Sequence, residues 1–505
     1  VLEIVLMTMA DGSAIARTAI RNAFWSTLGN YATQLLGFGA TLLLTRLLAP
    51  EIFGAFALAS FWFGLLNLRN KMGLQYSALQ PPQTDGTLLG TFFRTDLLIT
   101  TASLALVSSV ALLFVSTGRY SVQVATAMVT LMAAEAVTVW TGPYWLALER
   151  NIQVSRTTLV SLVASLVAYP LAVGVALLDG GIWSLLVINL VTYSVAAVGV
   201  ALMCRQRLPE IFQLRWRFEK ALGWQLLRRG VEIGLAATIL TIVVQQYDNF
   251  LIGTFVSETT LGFYDRAYRI ANWPNLLLTI VIGRIGLLTL AKVRDNPLHL
   301  AHTLRMAFWA AFTAGIPLTL TLVFAAPEVV EILYGGRYAE SAPFLRFLAC
   351  SNFVWVLVSL AFGLSVALNH ARRWLWISVA QGATLILVGT PLTLLMGVNG
   401  TLLGVAATML VALLLCGQYL FANGGGLGLR ETVAAPALAL AVTAGGLAGG
   451  LLVLPAEWPP LLRLGMVGIT ALLMYAGVMM LLRPHEMRER LQYLRLRWRR
   501  APDPG

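Results

Sequence analysis

The segment Leu261–Asn275 reads LGFYDRAYRIANWPN and places Arg266, Arg269, Asn272 and Asn275 at successive steps of three within an apolar run. On a helix that spacing keeps the four near one face, and Asp265 stands four residues before Arg269 as a candidate intrahelical partner. Arginine suits phosphate because its guanidinium stays charged and can fork onto two oxygens. The preceding apolar run carries Gln245, Gln246, Asp248 and Asn249. Another holds Glu135 roughly in mid-span, Arg94 and Asp96 open a third, and Arg346 lies near the start of a fourth. A charged side chain near the centre of a bilayer costs roughly 2.5–3.5 kcal/mol on insertion scales. Such a group is expected to face a cavity or a partner, although near a helix end it can snorkel at lower cost. One reading of these residues is therefore a cationic, partly wet cleft that accepts phosphate and polar sugars. The other makes Arg266 and Arg269 interface anchors at the outer end of their helix, helped by Tyr264 and Tyr268. Glu135 reads as cavity-facing or functional, and Arg46 as a structural lock at the first outer turn.

Covalent chemistry has no comparable support. No Gly-rich phosphate loop ends in Lys-Ser/Thr, and the Gly424–Gly428 cluster reads as a flexible joint. His299 and His302 share a helical face by spacing but lack a third ligand for a metal. No large outer loop is expected to carry a catalytic carboxylate and an acceptor. Cys204, Cys350 and Cys416 are odd in number and widely spaced, which suggests neither disulfides nor zinc. No cofactor is implied.

The elements that must hold these residues follow from composition. Of 505 residues, 58% are hydrophobic and 11% charged, against roughly 25% charged in a soluble domain; the mean hydropathy is +0.77. Apolar blocks of about 20 residues recur along the chain, each long enough to cross ~30 Å of hydrocarbon as a helix. No comparable stretch alternates with period two, which argues against an outer-membrane barrel. The expected fold is all-α and polytopic, with fourteen transmembrane helices at about 22–45, 53–70, 92–115, 122–146, 154–178, 182–204, 230–253, 262–290, 302–326, 342–368, 373–396, 400–422, 432–453 and 461–482. The first is expected to serve as an uncleaved signal anchor.

The net charge of +12 is placed for membrane orientation and an anionic leaflet, not for nucleic acid. With a cytoplasmic N-terminus, the inner connections hold Arg69, Lys71, Arg94, Arg150, Arg156, the block Arg205 to Arg229, Lys292, Arg294, Arg305, Arg372, Arg373, Arg430 and the tail. The outer ones hold Arg46, Arg119, Arg337 and Arg463 beside Glu51, Asp179, Glu258, Glu328, Glu331, Glu340 and Glu457. The asymmetry survives every turn, so the chain is expected in the bacterial cytoplasmic (inner) membrane with both termini on the cytoplasmic side.

Two halves of the chain echo each other. Thr45 to Ala57 reads TRLLAPEIFGAFA, and GTFVSETTLGFYDRA follows it at an offset of 208, pairing Arg21 with Arg229, Thr33 with Thr241 and Gly54 with Gly262. Later the offset is about 221, with Pro170 opposite Pro391. Six helices in each half would run in the same direction and form two lobes around a central cleft. The expected organisation is a six-helix lobe over 1–204, an amphipathic cytoplasmic linker over 205–229 and a second six-helix lobe over 230–423. An additional helix pair over 424–482 and a basic cytoplasmic tail over 483–505 complete it.

Arg46-Leu47-Leu48-Ala49-Pro50-Glu51 with Phe53-Gly54, Asp248-Asn249 with Ile252-Gly253, and Leu261-Gly262-Phe263-Tyr264 with Ala267 together resemble the polysaccharide-transporter branch of the multidrug/oligosaccharidyl-lipid/polysaccharide flippase superfamily. Within that branch the similarity is to Wzx-like O-antigen and teichuronic- or colanic-acid-type exporters. One departure is GRIGLLTLAK, where the family often has a proline near the inner end of helix 8. The resemblance implies translocation of a lipid-linked oligosaccharide, carried on undecaprenyl pyrophosphate, across the cytoplasmic membrane by alternating access. Substrate binding would then fall to Arg266, Arg269, Asn272 and Gln245, with Asp248 and Glu135 as candidates for ion coupling. Membrane lipids and envelope polysaccharide assembly proteins are the expected partners. Three alternatives stand beside it: a drug or cation antiporter, a flippase for the peptidoglycan precursor lipid II, and an envelope glycan polymerase or ligase.

Overall fold

The computed structural model describes residues 25–26, 28–79, 85–150, 154–275, 290, 293–453, 455 and 457–484. All regular structure among them is helical. Contacts divide the chain into two compact units, Val1–Gly262 and Phe263–Gly505. Ten helices among the described residues are long and apolar enough to cross a membrane. Large apolar side chains point outward from them: Leu112, Leu395 and Leu481 are each more than two-thirds exposed. An exterior of this kind is stable against lipid tails, where the apolar surface costs nothing to expose.

The first unit starts with α1 (28–47), α2 (Pro50–Leu66), the short α3 (Leu68–Lys71) and α4 (Leu74–Ala78). It continues with α5 (Gly86–Ser116), α6 (Val122–Ala136), a 3₁₀ turn (Val137–Thr141) and α7 (Gly142–Arg150). Then come α8 (Val154–Leu177), α9 (Trp183–Arg207), α10 (Glu210–Gln213) and α11 (Lys220–Phe255). The expected helix 53–70 breaks at Asn67, which turns extended (φ −71°, ψ 99°) while its amide caps the backbone N–H of Arg69. The expected helix 122–146 tightens into the 3₁₀ turn just before Pro143, whose ring crowds the carbonyl four residues back and which has no N–H to donate.

The linker expected over 205–229 docks within this unit. Its extended stretch lies on the first turns of α5, where Arg217 N–H donates to the Gly86 carbonyl and Thr91 Oγ1 accepts from Glu219 N–H. A Cβ on Gly86 or Gly90 would fall 2.3 Å and 2.5 Å from the carbonyl oxygens of Arg215 and Arg217. A core of Leu88, Phe92, Leu146, Leu148, Val200 and Ile211 holds the strap down.

At the other end of α2, repeated positions meet. A Cβ on Gly54 would lie 1.7 Å from the Glu258 carbonyl oxygen, and one on Gly262 would lie 1.9 Å from that of Pro50. Each glycine thus packs on the residue that corresponds, at the offset of 208, to the position four before its counterpart. The crossing is reciprocal, backbone on backbone, as small residues permit inside a membrane.

The helix α12 (Glu258–Ala271) runs across the boundary at Gly262. The expected helix 262–290 is seen as far as Asn275; residues 276–289, including most of the GRIGLLTLAK stretch, lie outside the described residues, as do 1–24 and the tail beyond 484.

The second unit continues with α13 (Pro297–Phe324), α14 (Ala326–Tyr334), α15 (Ser341–Ala367), α16 (Ala371–Thr384) and α17 (Thr390–Met396). It closes with α18 (Val398–Asn423), α19 (Leu429–Val453) and α20 (Pro460–Leu482). A π-helical segment, Leu385–Gly389, joins α16 to α17 just before Pro391. Leu304, Phe308, Phe312, Leu360, Leu364 and Tyr475 form its core. Arg463 on α20 pairs with the buried Glu328 on α14 at 3.1 Å.

Candidate functional site

The break at Asn67 has a chemical consequence in the first unit. It turns α3 so that the Arg69 side chain enters the space between α5 and α6. There Arg69 Nε and Nη2 donate to Asp96 Oδ1 and Oδ2, both at 2.7 Å, a bidentate pair. Arg69 Nη1 donates to Thr138 Oγ1 and, at 3.3 Å, to the Glu135 carbonyl oxygen. The Glu135 carboxylate is held differently. Its Oε2 accepts from Asn67 Nδ2 at 2.6 Å, while its Oε1 stands 3.7 Å from Arg69 Nη1. Asn67, Asp96 and Glu135 are buried. Among the described residues, one guanidinium therefore faces two carboxylates inside a spanning helix pair. Asp96 and Glu135 were legible as costly charges; Arg69 and Asn67 were not among the expected site residues. The signal that could have found them is the requirement that a mid-span carboxylate have a counter-charge.

The second unit assembles the expected arginines around one acid. Asp265 Oδ2 accepts from Arg266 Nε at 3.1 Å, from Arg266 Nη2, and from Arg269 Nε at 3.2 Å. The i,i+4 pair anticipated from spacing is present, and the adjacent Arg266 joins it. Arg266 is 2% exposed, whereas the Arg269 side chain is 49% exposed. Tyr334 Oη donates to the Arg266 carbonyl at 3.3 Å, and Ser341 Oγ to that of Phe263 at 2.9 Å. Burial pushes the Tyr334 phenol up from its ordinary range, which keeps it a donor. Tyr264 is fully buried and packs edge-on to Phe344. Asn275 Nδ2 donates to Asn272 Oδ1 at 3.2 Å. Asp265, Arg266 and Arg269 together carry one net positive charge, and Arg269 is the one that reaches solvent.

Gln245 and Asp248 lie three apart on α11 in the first unit. Gln245 is exposed; Asp248 is buried and accepts from the Asn249 N–H at 2.9 Å. No group of three or more metal-ligating side chains occurs among the described residues.

Long apolar helices with ion-paired charges buried among them define a multi-pass membrane protein. The fold is shared with solved transporters. A lipid II flippase MurJ in an inward closed conformation superposes with a TM-score of 0.69 at 12% identity, covering 90% of this chain and 98% of that one. An inward-facing MATE family multidrug transporter of the MOP superfamily gives 0.60 at 14% identity, covering 77% and 94%. The chain belongs to the polysaccharide biosynthesis protein family, whose sequence model matches residues 43–343. It is 23% identical over 342 residues, 67% of each chain, to the succinoglycan biosynthesis transport protein ExoT of Rhizobium meliloti (strain 1021). It is 25% identical over 126 residues, about a quarter of each chain, to the teichuronic acid biosynthesis protein TuaB of Bacillus subtilis (strain 168). ExoT, MurJ and the MATE protein are a transport protein, a flippase and a transporter rather than enzymes.

Proposed function

We propose that this protein translocates a lipid-linked oligosaccharide, carried on undecaprenyl pyrophosphate, from the inner to the outer leaflet of the cytoplasmic membrane by alternating access. Both termini lie in the cytoplasm. The observation that carries the reading is the Asp265–Arg266–Arg269 cluster, in a chain whose family serves polysaccharide biosynthesis and whose fold is that of flippases. A pyrophosphate is costly to move bare through hydrocarbon, and a guanidinium offsets its charge. In this reading Arg269 meets the phosphate, and Asp265 shared with Arg266 fixes its direction. Asn272 offers an amide to the sugars.

The test is leaflet-resolved accessibility of a lipid-linked oligosaccharide in proteoliposomes. Translocation by the wild type is expected to fall roughly ten- to hundredfold in Arg269→Ala, the range of one charged hydrogen bond of about 1.5–3 kcal/mol. Thermal stability should change little, because the side chain is half exposed. Unaltered translocation in Arg269→Ala would remove the assignment; transport of cationic drugs without glycan translocation would replace the reading with antiport.

A further inference from the structure

The cluster in the first unit has more carboxylates than cations, and its two acids are not equivalent. Asp96 receives two short, parallel guanidinium bonds. That fork-to-fork pairing takes up two of the three Arg69 nitrogens and is where the guanidinium finds its closest counter-charge. Glu135 is left with a neutral amide at Oε2 and a guanidinium nitrogen beyond hydrogen-bond distance at Oε1. The other groups that face it do not supply a cation. Thr138, on the turn that follows α6, is taken up by Arg69 and by the Glu135 carbonyl. Tyr193 of α9, within electrostatic reach of Glu135 and Arg69, carries a phenol and no cationic group. Lys71, on α3 with Arg69, directs its ammonium to the Leu65 carbonyl. Arg94 of α5 lies over the Phe218 ring. On the buried face of α5, one turn beyond Asp96, the Thr100 hydroxyl is enclosed without a hydrogen-bond partner among the described residues. The site thus offers an unbalanced carboxylate oxygen in a low-dielectric setting, where a small cation is the natural occupant.

The geometry points to a proton-binding site: Glu135 Oε1 takes one exchangeable proton from water, becoming a neutral acid beside the intact Arg69–Asp96 pair. Protonation leaves Oε2 free to keep its bond from Asn67, so the site can load and empty without dismantling the hydrogen bonds around it. Release restores one net negative charge to the cluster. Arg69, 15% exposed, is the partly solvent-touched edge through which that exchange would pass. This deepens the transport reading by naming what binds in the first unit, and it rests on that reading only for its second readout.

The experiment is infrared difference spectroscopy of the full chain in lipid nanodiscs between acid and alkaline buffers, in H2O and D2O. A carboxylic-acid carbonyl band that shifts in D2O is expected in the wild type and in the surface control Glu431→Gln, and it should be lost in Glu135→Gln. Glu135→Gln keeps an acceptor for Asn67 and a neutral side chain, so its melting temperature should hold and show that the fold survives. Absence of the band in the wild type, or its persistence in Glu135→Gln, overturns the inference. So does a sodium-dependent rise in melting temperature that Glu135→Gln abolishes, because it assigns the site to a metal cation. In proteoliposomes, stimulation of glycan translocation by an imposed pH gradient should vanish in Glu135→Gln. If the wild type shows the band but moves no lipid-linked glycan, the transport reading falls while the proton site stands.

Discussion

In the first unit two carboxylates share one arginine; in the second, two arginines share one carboxylate. Both clusters bury charge in apolar surroundings, yet they are built by different means. Asp265, Arg266 and Arg269 are neighbours on one helix, so the chain's own periodicity brings them together. Arg69, Asp96 and Glu135 come from three elements, and a helix break at Asn67 is needed to aim the arginine. The difference separates two chemistries. A base-rich cluster with a half-exposed guanidinium suits an anion that comes and goes; an acid-rich cluster open only at the edge of Arg69 suits the smallest cation.

The comparison makes the arginines unequal, and the largest expected effect tests that. Arg69→Ala strands two buried carboxylates at once and should cost about 3–5 kcal/mol, the range for removing one partner of a buried ion pair. Arg266→Ala leaves Asp265 with Arg269 and should cost less, roughly 1.5–3 kcal/mol for a lost charged hydrogen bond. Melting temperatures of the two variants in one detergent decide the order. Adding Asp96→Asn and Glu135→Gln to Arg69→Ala should recover most of the loss. A larger drop for Arg266→Ala would break the distinction between the clusters.

The repeated halves supply a second contrast. Gly54 and Gly262 pack reciprocally on backbone, so an added methyl at either has no side chain to push aside. Alanine at each position should cost about 1–3 kcal/mol, as overpacking does, and the two melting temperatures should fall alike. A loss at one glycine with none at the other would mean the crossing is not reciprocal.

How much of this could be read in the sequence follows from range. The offset of 208 already paired Gly54 with Gly262 but not their contact, because a match between repeats says nothing of where they touch. The helical spans were legible from apolar length, and Asp265–Arg269 from a spacing of four. The depth at which Arg266 sits was not: exposure at one turn of a helix depends on Tyr334, Tyr338 and Ser341, some 70 residues away. Glu135 stood out because mid-span charge is costly. Its partners did not, since Arg69 counted equally well as an inner-loop positive charge. Asn67 read as one more residue of a helix until the backbone turned there.

Asn67 is also where the smallest expected effect is the most informative. Its amide does two things: the oxygen caps Arg69 N–H, and the nitrogen donates to Glu135 Oε2. Loss of the cap in Asn67→Ala should cost about 1 kcal/mol whatever the pH. Loss of the bond to Glu135 depends on the charge of the acceptor: roughly 0.5–1.5 kcal/mol for a neutral carbonyl oxygen, about 1.5–3 kcal/mol for a carboxylate. If Glu135 holds a proton at acid pH and releases it at alkaline pH, the gap in melting temperature between Asn67→Ala and the wild type should widen as pH rises. In the Glu135→Gln background the acceptor is neutral at every pH, and the gap should stay constant. A gap that is flat with pH in both backgrounds would mean Glu135 never changes charge in the folded protein, and the two clusters would then differ in arithmetic but not in what they bind.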